Sequence, residues 1–110
     1  MDSTVQLREH AWVGDAVLAL FARTWLLAHA PETKNARASL FELFTSNQFL
    51  SGSGEPTRVE AEIGSIYQSH GLDAAYSHIQ ASLLERFILT ARNRGFQLSA
   101  IDGSKRFGDT

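Results

Sequence analysis

The sequence predicts an all-α protein, a compact bundle of four or five helices. Three observations indicate this class. Apolar residues recur at helical spacing over long stretches, no stretch shows the alternation and tight turns of a β-hairpin, and the only two prolines, Pro31 and Pro56, fall between the helical patterns. Hydrophobic residues make up 44% of the chain and charged residues 20%, which is typical of a folded globular domain.

The first helix is predicted over residues 5–29, because apolar side chains recur there near a period of 3.6 and Pro31 then ends the pattern. The second helix is predicted over residues 33–50. Each has an apolar side, made by Val13, Val17, Leu20, Phe21 and Leu27 in the first helix and by Leu40, Phe41, Leu43, Phe44 and Phe49 in the second.

A loop at residues 51–55 leads to the third helix, predicted over residues 56–70. Pro56 suits the first turn of a helix, where a missing N–H costs nothing, and Glu55 then lies near the positive end of the helix dipole. The fourth helix is predicted over residues 72–93. Its inner side carries Ala75, Ile79, Leu83 and Phe87.

Residues 1–94 are predicted to form one domain and residues 95–110 a polar, mobile tail. The chain has no cysteine, which excludes disulfides and thiolate metal sites and suits a cytoplasmic protein. We find no signal peptide pattern. No uninterrupted apolar run approaches the length of about 18 residues that a membrane span needs. A cytoplasmic protein with no membrane partner is therefore expected.

The charge balance restricts the nucleic-acid partners that the chain can have. Its net charge is -2 and its isoelectric point is near 6.0, whereas domains that bind nucleic acid usually present a basic surface. This balance predicts weak, salt-sensitive RNA binding rather than tight coating. It is compatible with a metal-dependent nuclease, whose site needs acidic residues. A nucleophile elbow, a Walker loop and a dinucleotide-binding glycine pattern are absent from the sequence.

Two carboxylates lie inside apolar stretches, Asp15 in the first helix and Glu60 in the third. Gly14 directly precedes Asp15, and Gly64 follows Glu60 by one turn. Glycines on facing helices let two backbones approach closely, which would bring both short carboxylate arms to one ion. Mg²⁺ suits such a pair, because it accepts one or two protein carboxylates and completes its octahedron with water and phosphate oxygens. The sequence therefore predicts a Mg²⁺ site at Asp15 and Glu60.

Structural interpretations of the same residues stay open. Asp15 can accept backbone hydrogen bonds near a helix start, and Glu60 can interact favourably with a helix dipole. Glu62 lies about 200° around the helix from Glu60 and is predicted to be solvated surface. The four histidines lack the spacing of zinc ligands and are predicted at the surface or at helix ends.

The two tryptophans, Trp12 and Trp25, are predicted to have different environments. Their separation along one helix places them about 140° apart around its axis, so both cannot face the same core. One of them is therefore predicted to serve an interface, where Trp is enriched.

Three segments resemble the ribonuclease III family. Residues 12–18 (Trp-Val-Gly-Asp-Ala-Val-Leu) resemble its first signature, and residues 46–50 (Ser-Asn-Gln-Phe-Leu) resemble its Ser-Asn segment. Residues 60–67 (Glu-Ala-Glu-Ile-Gly-Ser-Ile-Tyr) with residues 71–75 (Gly-Leu-Asp-Ala-Ala) are similar to its second signature and the helix after it. The segments occur in the family's order and cover about residues 7–80.

The resemblance implies an all-α, homodimeric enzyme that cuts double-stranded RNA with magnesium, leaving a 5′-phosphate and a 3′-hydroxyl. Asp15 and Glu60 match the two acids at the heart of the family's site, and each would bind Mg²⁺, or Mn²⁺ as a substitute, directly or through water. Trp12 occupies the place of an aromatic residue that plugs into the partner subunit, so it is the expected dimer contact.

The chain also departs from the family pattern. Ala11 and Thr57 stand where the family has further acids. The subgroup called mini ribonuclease III departs at both places and lacks the double-stranded RNA-binding domain, which is not expected in this chain either, so it is the closest description. The connection from Leu50 to Pro56 is shorter than the family normally has.

The expected function is a magnesium-dependent endoribonuclease that hydrolyses phosphodiester bonds in double-stranded or structured RNA. Its candidate phosphate contacts are Arg58, Arg92, Arg94, Lys105 and Arg106. Two alternatives stay open. The reduced set of acids and the short connection favour a non-catalytic ribonuclease III-like module that binds RNA or a protein partner. A helical interaction domain with a chance match predicts that Asp15 and Glu60 lie far apart.

Overall fold

The computed structural model describes residues 3–30 and 34–98. Within these ranges the chain forms helices and no strand, so the all-α prediction is confirmed. The helices are α1 (Ser3–His29), α2 (Lys34–Thr45), α3 (Asn47–Leu50), α4 (Pro56–His70), α5 (Leu72–Ile79) and α6 (Glu85–Asn93), with a π-helical segment (Gln80–Leu84) between α5 and α6.

The second predicted helix is divided in two at Ser46. This residue has extended backbone angles (φ -75°, ψ 148°), and its hydroxyl oxygen accepts a hydrogen bond of 3.1 Å from the backbone N–H of Phe49. Serine favours this arrangement because its side chain can satisfy an N–H group that has no partner in the first turn of a helix. The chain therefore ends α2 at Thr45 and starts the short α3 in a new direction.

Aromatic side chains from three helices form the centre of the core. The rings of Phe44 and Phe87 stack with centroids 4.2 Å apart, and Phe49 packs edge-on against both. The inner side predicted for the fourth helix is confirmed, since all four of its predicted residues are buried. In α1, Val17 and Phe21 are buried as predicted. Leu20 and Leu27 are not, because they lie on a face of α1 that no described element covers.

The packed part of the chain extends beyond the predicted domain boundary at residue 94. Phe96 and Leu98 are half-buried against the core, and the backbone N–H of Phe96 donates a hydrogen bond of 3.0 Å to the carbonyl oxygen of Ala91. Residues 99–110, the rest of the predicted tail, lie outside the described residues, and with them Lys105 and Arg106.

Among the described residues one helix, α1, is long and apolar enough to cross a membrane by its length and composition. A few charged residues interrupt the apolar sequence of α1, but the helix remains apolar on average. In the most apolar stretch of α1, 44% is buried inside the fold. The core helix of a soluble protein and a signal sequence near the N-terminus have the same length and apolar composition. The properties of α1 therefore do not assign the protein to a membrane or to any compartment.

Candidate metal centre

The helices α1 and α4 cross in direct backbone contact at Gly14 and Gly64. A Cβ atom built on Gly14 would overlap the carbonyl oxygen of Glu60 and stand 2.9 Å from the backbone nitrogen of Gly64. A Cβ atom built on Gly64 would overlap the carbonyl oxygen of His10 and stand 2.8 Å from the backbone nitrogen of Gly14. Any larger residue at either position would force the helices apart. The prediction that these two glycines let facing helices approach is confirmed.

This crossing brings together the two carboxyl groups that the sequence singled out. The side chains of Glu60 and Asp15 lie within hydrogen-bonding reach of each other. Glu60 is half-buried and Asp15 is exposed, so the pair lies at the edge of the helix crossing with one side open to solvent. The distant placement expected for a chance sequence match is contradicted. Asp15 and Glu60 are called the acid pair below.

The acid pair changes the protonation of Glu60. Its pKa is raised from 4.5 to about 7, first because burial disfavours the charged form, then because of the hydrogen bond and the negative charge of Asp15, and last because of the charge of Glu55. A hydrogen bond between two carboxyl groups needs one proton, which Glu60 donates to Asp15 in its protonated form. Glu60 therefore gains or loses its proton close to neutral pH.

Glu55 fixes the start of α4. Its two carboxylate oxygens accept hydrogen bonds from the backbone N–H groups of Thr57 (3.1 Å) and Arg58 (3.0 Å). These backbone hydrogen bonds, the one from Thr57 above all, lower the pKa of Glu55. Its carboxylate is thus occupied at the N-terminus of the helix, where the dipole also favours a negative charge. The sequence placed Glu55 near this helix end, and the structure shows it as the cap.

The donor set of the site consists of two carboxylates. Within residues 3–30 and 34–98, no group of three or more His, Cys, Asp or Glu side chains is arranged to hold an ion. Ala11 and Thr57, which stand where the resembled family has acids, supply no carboxylate. Two carboxylates in contact, open to solvent on one side, fit a Mg²⁺ ion that keeps most of its ligands as water or substrate oxygens. They offer no separate carboxylates for a second ion.

The other predicted site residues lie away from the acid pair. Arg58 is exposed, and its position two residues before Glu60 places it about 200° around α4, so the two side chains leave the helix on opposite sides. The charge of Arg58 acts instead on Glu55. Arg92 and Arg94 are exposed at the end of α6. Glu62 is exposed, as predicted, with an oxygen 3.9 Å from Nε2 of His78.

The prediction that the two tryptophans differ is confirmed, since 81% of Trp12 is exposed and 3% of Trp25. Trp12 lies one turn before Asp15 and lines an open groove of about 600 Å³ between α1, the end of α4 and the start of α5. The groove is mainly apolar, with Leu20, Tyr67 and Leu72 among its exposed residues. Neither Tyr67 nor Leu72 was singled out in the sequence, because their exposure depends on which part of α1 they border.

No protein-family model matches the chain, and neither a curated protein nor a solved structure is similar to it at a significant level. The resemblance to ribonuclease III therefore depends on the three short sequence segments.

Proposed function

We propose that this protein is a magnesium-dependent endoribonuclease that hydrolyses phosphodiester bonds in double-stranded or structured RNA. The contact between Asp15 and Glu60 is the observation that carries the proposal. Burial and the negative charge of Asp15 disfavour the ionised form of Glu60. A folded chain gains nothing from this repulsion at neutral pH, whereas a divalent cation held by both carboxylates would remove it.

Asp15 and Glu60 would hold Mg²⁺ directly or through its water ligands. When bound, Mg²⁺ lowers the pKa of coordinated water and stabilises the charge that develops on phosphodiester oxygens. Glu60 has to give up its proton to serve as a ligand, and its pKa of about 7 places that loss near neutral pH. The backbone contact between Gly14 and Gly64 fixes the separation of the two helices, so the carboxylates need little rearrangement to act together.

A homodimer is part of the proposal. Trp12 is the most exposed large apolar residue described, and it lies on α1 one turn before Asp15. Contiguous exposed apolar surface of this kind is typical of a protein interface, and Trp is among the residues that contribute most to binding. A second copy of the chain seated on the groove would cover Trp12.

Cleavage of a labelled RNA hairpin tests the proposal. The wild type should cut the hairpin when Mg²⁺ or Mn²⁺ is added and not in EDTA. Asp15→Asn and Glu60→Gln should each lower the rate by about 100-fold or more, because each removes the charge of one of the two carboxylates proposed to hold the ion. Glu62→Gln is the matched control, since Glu62 is an exposed carboxylate on the same helix, and it should cut like the wild type.

A second function has its own support. Among the described residues no third ligand joins the acid pair to form a group that could hold an ion, and the groove lined by Trp12 is large and mainly apolar. Both features favour a non-catalytic ribonuclease III-like module that binds RNA or a protein partner. A folded wild type that binds the hairpin but does not cut it would replace the nuclease proposal with this one. Cation binding that depends on the acid pair discriminates between the two, because a binding module has no need of it.

A further inference from the structure

The side chain of Arg86, on α6, contacts the loop that precedes α4. Its Nη2 donates a hydrogen bond of 2.7 Å to the hydroxyl oxygen of Ser53. Its guanidinium carbon lies 4.0 Å from the centre of the Phe49 ring, in a cation–π arrangement. A Cβ atom built on Gly52 would stand 2.6 Å from Nη1, so the loop backbone also lies against the guanidinium. Arg86 is thus held between a core aromatic ring and residues 52–53.

The loop held by Arg86 leads directly into the cap of α4. Ser53 lies two residues before Glu55, which caps the first turn through Thr57 and Arg58. Between them is Gly54, whose φ of 146° is open to glycine and strained for other residues. Residues 52–53 are also joined to α3, by hydrogen bonds from their backbone N–H groups to the carbonyl oxygens of Phe49 (3.1 Å) and Leu50 (2.9 Å). Arg86 adds the side-chain contact that ties this loop to α6.

The close backbone contact with α1 lies further along α4, at Glu60 and Gly64. The turn between Glu55 and Glu60 connects this cap to the acid pair, and the charge of Glu55 also acts on Glu60. Arg86 lies two residues after the end of the π-helical segment, a turn type that is frequent beside functional sites.

We infer that Arg86 is a positioning residue for the acid pair. Its guanidinium fixes the loop at Gly52 and Ser53, the loop fixes Glu55, and Glu55 fixes the turn of α4 from which Glu60 projects. The consequence for catalysis rests on the proposed function. The positional consequence, that the acid pair holds a cation less well when Arg86 is replaced, can be measured without any cleavage.

The test compares Arg86→Gln with Arg92→Gln, an exposed arginine on the same helix. Amide hydrogen exchange at Thr57 and Arg58 reports the cap, and titration with MnCl₂ reports the acid pair. In Arg86→Gln, exchange at these two amides should rise by about tenfold, because a charge-assisted hydrogen bond is lost, while amides of the core helices keep their protection. Mn²⁺ affinity should fall several-fold, and Arg92→Gln should match the wild type in both measurements.

Two further variants distinguish positioning from general stability. Arg86→Lys keeps the charge and should restore part of the Mn²⁺ affinity. Ser53→Ala removes only the hydroxyl acceptor in an exposed loop, so it decides the question if Arg86→Gln does not fold. Combined with Arg86→Gln it should add little further effect, because both changes break one contact. If RNA is cleaved, Arg86→Gln should lower kcat by about tenfold and leave KM nearly unchanged.

Unchanged exchange at Thr57 and Arg58, or faster exchange with unchanged Mn²⁺ affinity, would overturn the inference for Arg86. A wild type that binds Mn²⁺ through the acid pair but cuts no RNA would overturn the proposed nuclease. The role of Arg86 would then still be decided by amide exchange and by Mn²⁺ affinity. A wild type in which the acid pair binds no Mn²⁺ would overturn both.

Discussion

Gly14 and Gly64 lie in direct backbone contact where α1 crosses α4, and neither position has room for a Cβ atom. The contact sets the distance between the two helix axes at the level of Asp15 and Glu60. Since each acid follows or precedes one of these glycines by no more than one turn, the carboxyl groups meet without long or flexible side chains. The chemistry of the site thus depends on two residues that have no side chain.

Replacing Gly64 with alanine should destabilise the protein by about 2–4 kcal/mol, because the new methyl group would overlap backbone atoms of α1 that cannot move aside alone. Urea denaturation measures this free energy of unfolding. Ser69→Ala, at an exposed position of α4, is the control and should change stability little. Alanine forms helix better than glycine by about 1 kcal/mol, so a Gly64→Ala variant more stable than the wild type would contradict the close crossing.

Replacing Asp15 with asparagine should lower the pKa of Glu60. The substitution removes the negative charge that opposes ionisation of Glu60, but the burial of Glu60, the largest cause of its raised pKa, remains. The pKa should therefore fall from about 7 and stay above the ordinary 4.5. Titration of the Glu60 carboxyl carbon by ¹³C NMR measures it. An unchanged pKa in Asp15→Asn would mean that the two carboxyl groups are not in contact.

The metal-free protein should lose stability as the pH rises from about 4.5 to about 7. In this window the folded protein keeps a proton on Glu60 that the unfolded chain has released, so rising pH favours unfolding. Allowing for solvent screening of a half-buried group, the contribution of Glu60 should be about 1 kcal/mol. The measurement is the free energy of unfolding against pH for the wild type minus that for Glu60→Gln. A difference that does not vary with pH would refute the raised pKa.

Replacing Trp12 with alanine should weaken dimerisation by at least about tenfold, because a central Trp commonly contributes 2 kcal/mol or more to an interface. Sedimentation equilibrium gives the dissociation constant. Leu89→Ala is the matched control, since Leu89 is an exposed apolar residue on α6 away from the groove, and it should leave association unchanged. A wild type that stays monomeric at high concentration, or equal effects of both substitutions, would argue against the groove as the dimer contact.

The sequence predicted those parts of the fold that depend on periodicity and on local turn chemistry. The spacing of four between Ala75, Ile79, Leu83 and Phe87 marks a buried helix side regardless of the partner helix, and Pro56 marks a helix start by its own geometry. The pairing of Gly14 with Gly64 could also be predicted from the sequence. Glycine destabilises a helix interior, and close contact with another helix is a common reason for its presence there.

Other features depend on tertiary contacts that no local pattern reveals. The exposure of Leu20 and Leu27 follows from where α4 lies on α1, since their spacing is that of core residues. The second predicted helix breaks at Ser46 because capping by the serine side chain outweighs continuation of the helix there. The local sequence is compatible with both a continuous and a broken helix. Arg86 carries no sequence signal, because its role depends on a loop that lies more than thirty residues earlier in the chain.

Titration of the metal-free protein with MnCl₂, followed by electron paramagnetic resonance, tests the central claim most directly. The account predicts that the wild type binds Mn²⁺, that Mg²⁺ competes for the same site, and that the affinity falls below pH 7 as Glu60 takes up its proton. Asp15→Asn and Glu60→Gln should lose this binding, whereas Glu62→Gln should keep it. Equal Mn²⁺ affinity in all four proteins would contradict the claim that Asp15 and Glu60 form a metal centre.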